Sequence, residues 1–219
     1  MSLLKEVGSL IQKDIILEWR SKYALNGILL YVVSTVFVCY QAFKSVDPTT
    51  WNVLFWIIML FASVNAINKS FVQESQHRQL YYYTIAGPKA IILSKIGYNV
   101  LIMLLLSAIA FTAYAVIFGT PVGDLTLYLL AVVLGAVSFA AVFTMVSGIA
   151  AKAGNNSTLM AVLSFPIIIP LLIILIRLSK NAMLGLDWSV SYPELLVLAA
   201  INVITVTISL SLFPYLWRD

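Results

Sequence analysis

The chain has little of what a soluble enzyme works with. Only 10% of its 219 residues are charged, under half the share usual in a soluble domain. It holds one cysteine, Cys39, and one histidine, His77. A single cysteine excludes an intrachain disulfide, a CxxC zinc site and a CxxCH heme-attachment motif. A single histidine excludes a helical two-histidine zinc protease and bis-histidine heme ligation within one chain. There is no Gly-rich loop ending in Lys-Ser/Thr to cradle a nucleotide phosphate, and no GxSxG nucleophile elbow. The Asp and Glu residues fall at the ends of apolar stretches or between them. That argues against a carrier coupled to protons or sodium through carboxylates inside the membrane.

What is present in quantity is apolar. The chain is 62% hydrophobic with a mean hydropathy of +1.00, so lipid is the solvent for most of its surface and it reads as one integral membrane domain. The net charge of +4 and the pI near 9.1 fit basic cytoplasmic loops better than a nucleic-acid partner. The first twenty-two residues mix charged and apolar positions, which is no pattern for a cleavable signal.

A helix crossing the hydrocarbon core needs about 20 largely apolar residues. Six stretches qualify: Tyr23–Phe43, Trp51–Ile67, Ile91–Phe118, Leu125–Ala151, Leu159–Leu178 and Leu195–Trp217. With the N-terminus in the cytoplasm, the outer side keeps only Lys44, Arg177 and Lys180 of the thirteen basic residues. The excess of Lys and Arg on the other side places both termini inside. Residues 1–22 read as a helix lying in the membrane interface, with Leu3, Leu4, Val7, Leu10 and Ile11 on one face; Asp14 and Glu18 spoil that face further on. A cytoplasmic extension of the first span is the competing reading. Polar residues inside the spans, such as Asn65, Asn99 and Asn202, are expected to hydrogen-bond between helices.

Two segments stand apart. SFPIIIPLLIILI, residues 164–176, puts Pro166 and Pro170 in the fifth span. Each removes a backbone donor and crowds the preceding turn, which predicts a kinked or unwound helix, either a gating segment near the axis of a complex or a static bend. RLSKNAMLGLDWSVSYPE, residues 177–194, reads as the longest outer loop, with Met183, Leu184, Leu186 and Trp188 at the interface.

FVQESQHRQLYYYTIAGPKAIILSK, residues 71–95, is the longest polar interruption. Glu74 has no second acid beside it and His77 no paired nucleophile. Axial heme ligation by His77 competes with the blander reading of a solvated side chain, which we favour. Tyr81, Tyr82 and Tyr83 with Leu80 and Ile85 give a short helix a large amphipathic surface, suited to a protein partner or to the membrane surface. Gly87-Pro88 then returns the chain to the membrane. The segment reads as a docking lever.

Glu74, Leu80, Pro88 and Lys95 resemble the spaced pattern of ABC-2 permeases, in the cytoplasmic helix after their second span. Two departures are a missing glycine near Arg78 and Tyr81 where a glutamate follows the leucine. The fifth span, Pro166-Ile-Ile-Ile-Pro170-Leu-Leu-Ile, after Lys152-Ala-Gly154, is similar to the heme exporter CcmB family of cytochrome c maturation. That resemblance implies a single ABC-type permease domain over residues 1–219, all-α, with six transmembrane helices, an N-terminal interfacial helix and a coupling segment at 72–90. It implies a non-catalytic subunit of an ATP-driven complex in the bacterial inner membrane, working as a homodimer. The ATPase would dock on Glu74, Leu80, Tyr81, Tyr82, Tyr83 and Pro88. The implied partners are a CcmA-like ATP-binding subunit, CcmC-like and CcmD-like membrane proteins and a CcmE-like heme chaperone, whose loaded form is released on ATP hydrolysis. No cofactor is expected on this chain itself: ATP binds the partner, and heme is the cargo considered. A tryptophan-rich heme-handling motif is absent, since the five tryptophans are scattered. The alternatives are an ABC-2 permease for a lipid, polysaccharide or drug, and a membrane scaffold that moves nothing.

Overall fold

A computed structural model of the protein describes residues 3–21, 23–43, 46–72, 86–152 and 157–216. They form seven helices: α1 Leu3–Ser21, α2 Tyr23–Ala42, α3 Pro48–Val72, α4 Pro88–Phe118, α5 Leu125–Lys152, α6 Ser157–Met183 and α7 Trp188–Leu216. No strand occurs among the described residues. Helices α3 to α7 each contain a stretch long and apolar enough to cross a membrane, and α2 contributes the shorter apolar stretch Asn26–Ala42.

The helix ends follow from local chemistry. Helix α4 starts at Pro88, whose fixed φ and missing donor suit a first helical position, after Gly87 in extended conformation. Asp124 caps α5, accepting the Leu127 N–H at 3.0 Å. Helix α6 closes with Gly185 at φ 63°, while the Leu186 N–H reaches Asn181 O and the Gly185 N–H reaches Ala182 O. This is a Schellman ending, and it requires the left-handed glycine. The turn before α5 is stitched to that ending by Asp124 N–H to Ala182 O at 2.8 Å.

Helix α5 is the hub and packs against α3, α4, α6 and α7. Its apolar window is 72% buried, against 17% for α7 at the rim. Small residues allow this. A Cβ at Gly135 would lie 2.5 Å from the Trp56 ring, and one at Gly148 would lie 2.7 Å from Phe213. Small residues that make room for a neighbouring helix's side chains in this way favour helix packing where lipid offers no hydrophobic gain. Large apolar side chains such as Leu30, Leu196 and Val203 cover the outside, as expected where the solvent is hydrocarbon.

The structure corrects two expectations. Residues 177–194 are mostly helical, because α6 runs to Met183 and α7 begins at Trp188, leaving a connection of residues 184–187. The polar side chains of that segment had suggested a loop, but they sit on the last turns of α6 and the first turns of α7. Glu194 consequently lies inside α7 rather than before it. Helix α6 continues through Pro166 and Pro170, so of the two forms expected there it is not the unwound one.

Candidate functional site

The Asp124 cap and the Gly185 ending belong to one end of the bundle; the other end gathers the start of α4, residues 10–18 of α1 and the last turns of α5 and α7. Of the residues singled out in the sequence, Pro88 opens α4 here. Glu74, His77, Leu80, Tyr81, Tyr82 and Tyr83 lie outside the described residues, as does most of the 72–90 segment that leads into α4. Pro166 and Pro170 lie elsewhere, on an exposed face of α6.

At this end α1 is locked to α4. Asp14 and Lys95 are both buried, with Nζ 3.2 Å from Asp14 Oδ2, and Lys13 Nζ stands 3.1 Å from Oδ1. No donor hydrogen among the described residues aligns with Oδ2, so the Asp14–Lys95 contact is held by charge more than by hydrogen-bond geometry. One turn along each helix, the Tyr98 hydroxyl donates to Glu18 Oε2 at 3.2 Å. Between these contacts Gly97 admits Ile11: a Cβ there would sit 2.9 Å from Ile11 Cδ1. Val7, Ile11, Asp14 and Glu18 follow helical spacing, so the two carboxylates belong to the protein-facing side of α1. Sequence reading took them as flaws in an amphipathic face. The available signal was Lys95, a cation inside the apolar run of α4 that needed an anion nearby.

A second apolar cluster fixes the start of α4 to its other neighbours. Ile91, Ile92, Ile96 and Phe213 are buried together, with Leu10, Ala151 and Leu210 packed around them. Deeper in the bundle, Asn99 Nδ2 donates to Thr144 Oγ1 at 2.8 Å, tying α4 to α5. The chain that emerges from the 72–90 segment is thus held by α1, α5 and α7 within its first three turns.

The far end is equally fastened. Trp56 Nε1 donates to Ser179 Oγ at 2.8 Å, Asn52 Nδ2 to Ile176 O at 3.1 Å, and the Tyr128 hydroxyl to Asn52 Oδ1 at 3.2 Å. Trp51, Phe55, Tyr114 and Tyr128 pack ring against ring around them. Among the described residues no three His, Cys, Asp or Glu side chains converge to hold a metal. The arrangement suits transmission of movement along α4 and its neighbours.

Compared with known families, the chain matches the family model described as CcmB protein over residues 5–215. This range takes in nearly all of every helix. No curated protein matches the chain in sequence.

Proposed function

The chain belongs to the CcmB family, which implies a heme-exporter permease subunit of c-type cytochrome biogenesis, and on that footing we propose that it couples a separate ATPase to this process. In this reading six helices of each protomer span the inner membrane with both termini in the cytoplasm. Two protomers and two ATP-binding subunits form the working unit, together with CcmC-like and CcmD-like membrane proteins. The segment 72–90 is the coupling element, with Glu74, Leu80, Tyr81, Tyr82, Tyr83 and Pro88 facing the ATPase. ATP hydrolysis on the partner is linked to release of the heme-loaded CcmE-like chaperone.

The observation that supports this reading best is the clamping of α4 directly after the coupling segment. A push delivered at 72–90 meets the buried Asp14–Lys95 pair and the Ile91, Ile92, Ile96 and Phe213 cluster. It is therefore passed to α1, α5 and α7 instead of being absorbed by a loose helix end. Leu80→Asp or Tyr82→Asp is expected to abolish recovery of the ATPase with the tagged protein while leaving the protein inserted in the membrane. Undiminished recovery with both variants would overturn the assignment of the lever.

A further inference from the structure

The end of the bundle where α4 begins carries a cleft that no part of the coupling mechanism uses. It lies between the first turn of α4 and the last turns of α7 and has a volume of about 420 Å³. Its lining is Lys89, Thr207, Leu210, Ser211, Pro214 and Tyr215. That volume falls in the range of about 300–1,000 Å³ usual for small-ligand clefts. Thr207, Leu210, Ser211 and Pro214 follow helical spacing along one face of α7. At about 1.5 Å per residue the cleft therefore extends about 10 Å along the helix. Phe213, packed against Ile91, Ile92 and Ile96, holds the two walls together.

The polar groups of the cleft are of one kind. Lys89 is exposed and has no carboxylate partner among the described residues. The hydroxyls of Ser211 and Tyr215 hydrogen-bond to none of the described residues, whereas Thr207 donates its own to Val203 O at 2.7 Å. No Asp or Glu among the described residues lines the cleft. A cation and two available hydroxyls, with no acid beside them, suit an anion rich in acceptor oxygens. Pro214 adds the complement. It deprives the Leu210 carbonyl of its helical donor, which leaves an acceptor for a hydroxyl of the same ligand.

The surroundings decide where such an anion comes from. One turn deeper on the same face of α7 stand Val203 and Ile204, 66% and 56% exposed, within a helix apolar enough to cross a membrane. A soluble anion gains nothing from that surface, but an acyl chain does. Basic pockets between membrane helices at the membrane surface take phosphate-bearing lipid heads.

We propose that this cleft binds an anionic glycerophospholipid. Lys89 meets the phosphate, Ser211 and Tyr215 donate to its oxygens, and a headgroup hydroxyl donates to Leu210 O. The acyl chains run past Val203 and Ile204. The inference is independent of the ATPase reading and needs only that α4 and α7 cross the membrane.

In the test, the full chain is purified in mild detergent and stripped of lipid. It is then given equal amounts of phosphatidylglycerol and phosphatidylcholine with identical acyl chains, and retained lipid is counted by native mass spectrometry. Phosphatidylglycerol is expected to be retained severalfold over phosphatidylcholine. Lys89→Gln should lower that retention roughly fivefold, the worth of one lysine near the membrane surface. Ser211→Phe, which fills the cleft without changing charge, should lower it as well. Lys5→Gln, which removes an exposed cation of α1, should leave it unchanged. Equal retention of the two lipids by the native protein overturns the proposal, and so does an equal loss with Lys5→Gln, since either means unspecific attraction. Displacement of the lipid by glycerol phosphate at matching concentration would assign the cleft to a soluble anion. Unchanged retention in Lys89→Gln also overturns the proposal, and loss of a copurifying protein from that variant would make the cleft a protein contact instead.

Discussion

Lys95 Nζ lies 3.2 Å from Asp14 Oδ2 with both side chains buried, so a helix that precedes the bundle in sequence is bound to its interior by opposite charges. The pair joins two positions more than eighty residues apart at the end of the molecule where α4 begins. Breaking a buried ion pair by removing one partner typically costs about 3–5 kcal/mol, whereas replacing both with apolar residues is often far milder. Asp14→Leu and Lys95→Met should each lower the unfolding temperature in detergent markedly, and the double variant should recover much of the loss. Single variants as stable as the native protein would show that α1 is held by its apolar contacts alone.

The glycines offer a graded test of packing. At Gly97 the obstructing atom is the flexible tip of Ile11, 2.9 Å from a hypothetical Cβ, while at Gly135 it is the ring of Trp56 at 2.5 Å. Trp56 is buried and anchored to Ser179, so its ring has nowhere to turn. Gly135→Ala is expected to destabilise by roughly 1–3 kcal/mol, the usual range for overpacking. Gly97→Ala should be close to neutral, since the side chain it meets can rotate aside. Thermal unfolding of the two variants side by side decides this, and equal losses would contradict it.

Asp124 carries a pH-dependent contact at the far end. The Leu127 backbone N–H foremost, and also the Trp188 indole N–H at 2.8 Å, hold its carboxyl below the ordinary carboxylate value. A depressed value in the folded state means that the contribution is present above the ordinary value of 3.8 and is lost as pH falls through the lower folded value. Trp188 fluorescence, read in a variant with the other tryptophans exchanged for Phe, should therefore be flat from pH 8 to 5 and change only in strong acid. Asp124→Ala should show the acid spectrum at neutral pH. A transition near neutrality would assign the change to another group.

The helical class and the positions of the main apolar helices were legible in the sequence, because hydrocarbon demands long uninterrupted apolar runs. The polar pairings between helices were less so. Asn99 was expected to bond across helices and does so, to Thr144, but its partner was not legible. Asp14 and Glu18 looked like defects because a one-dimensional face pattern contains no partner helix; against Lys95 and Tyr98 they are the contacts that place α1. Residues 177–194 looked like a loop because Arg177, Lys180, Asn181 and Asp187 crowd together. In three dimensions they lie at the surface end of a helical hairpin closed by Gly185. Pro166 and Pro170 were visible as unusual, yet the face they occupy depends on how α6 rolls against α5, which only the packing determines.

The central claim is that this permease works with an ATPase in heme delivery. It is tested most directly by purifying the tagged protein from its own membranes in mild detergent and identifying every chain that comes with it. Recovery of an ATP-binding subunit together with heme-handling membrane proteins is the predicted result. An ATPase with unrelated companions would keep the coupling mechanism and remove heme. Absence of any ATPase, under conditions that preserve other membrane complexes, would contradict the claim.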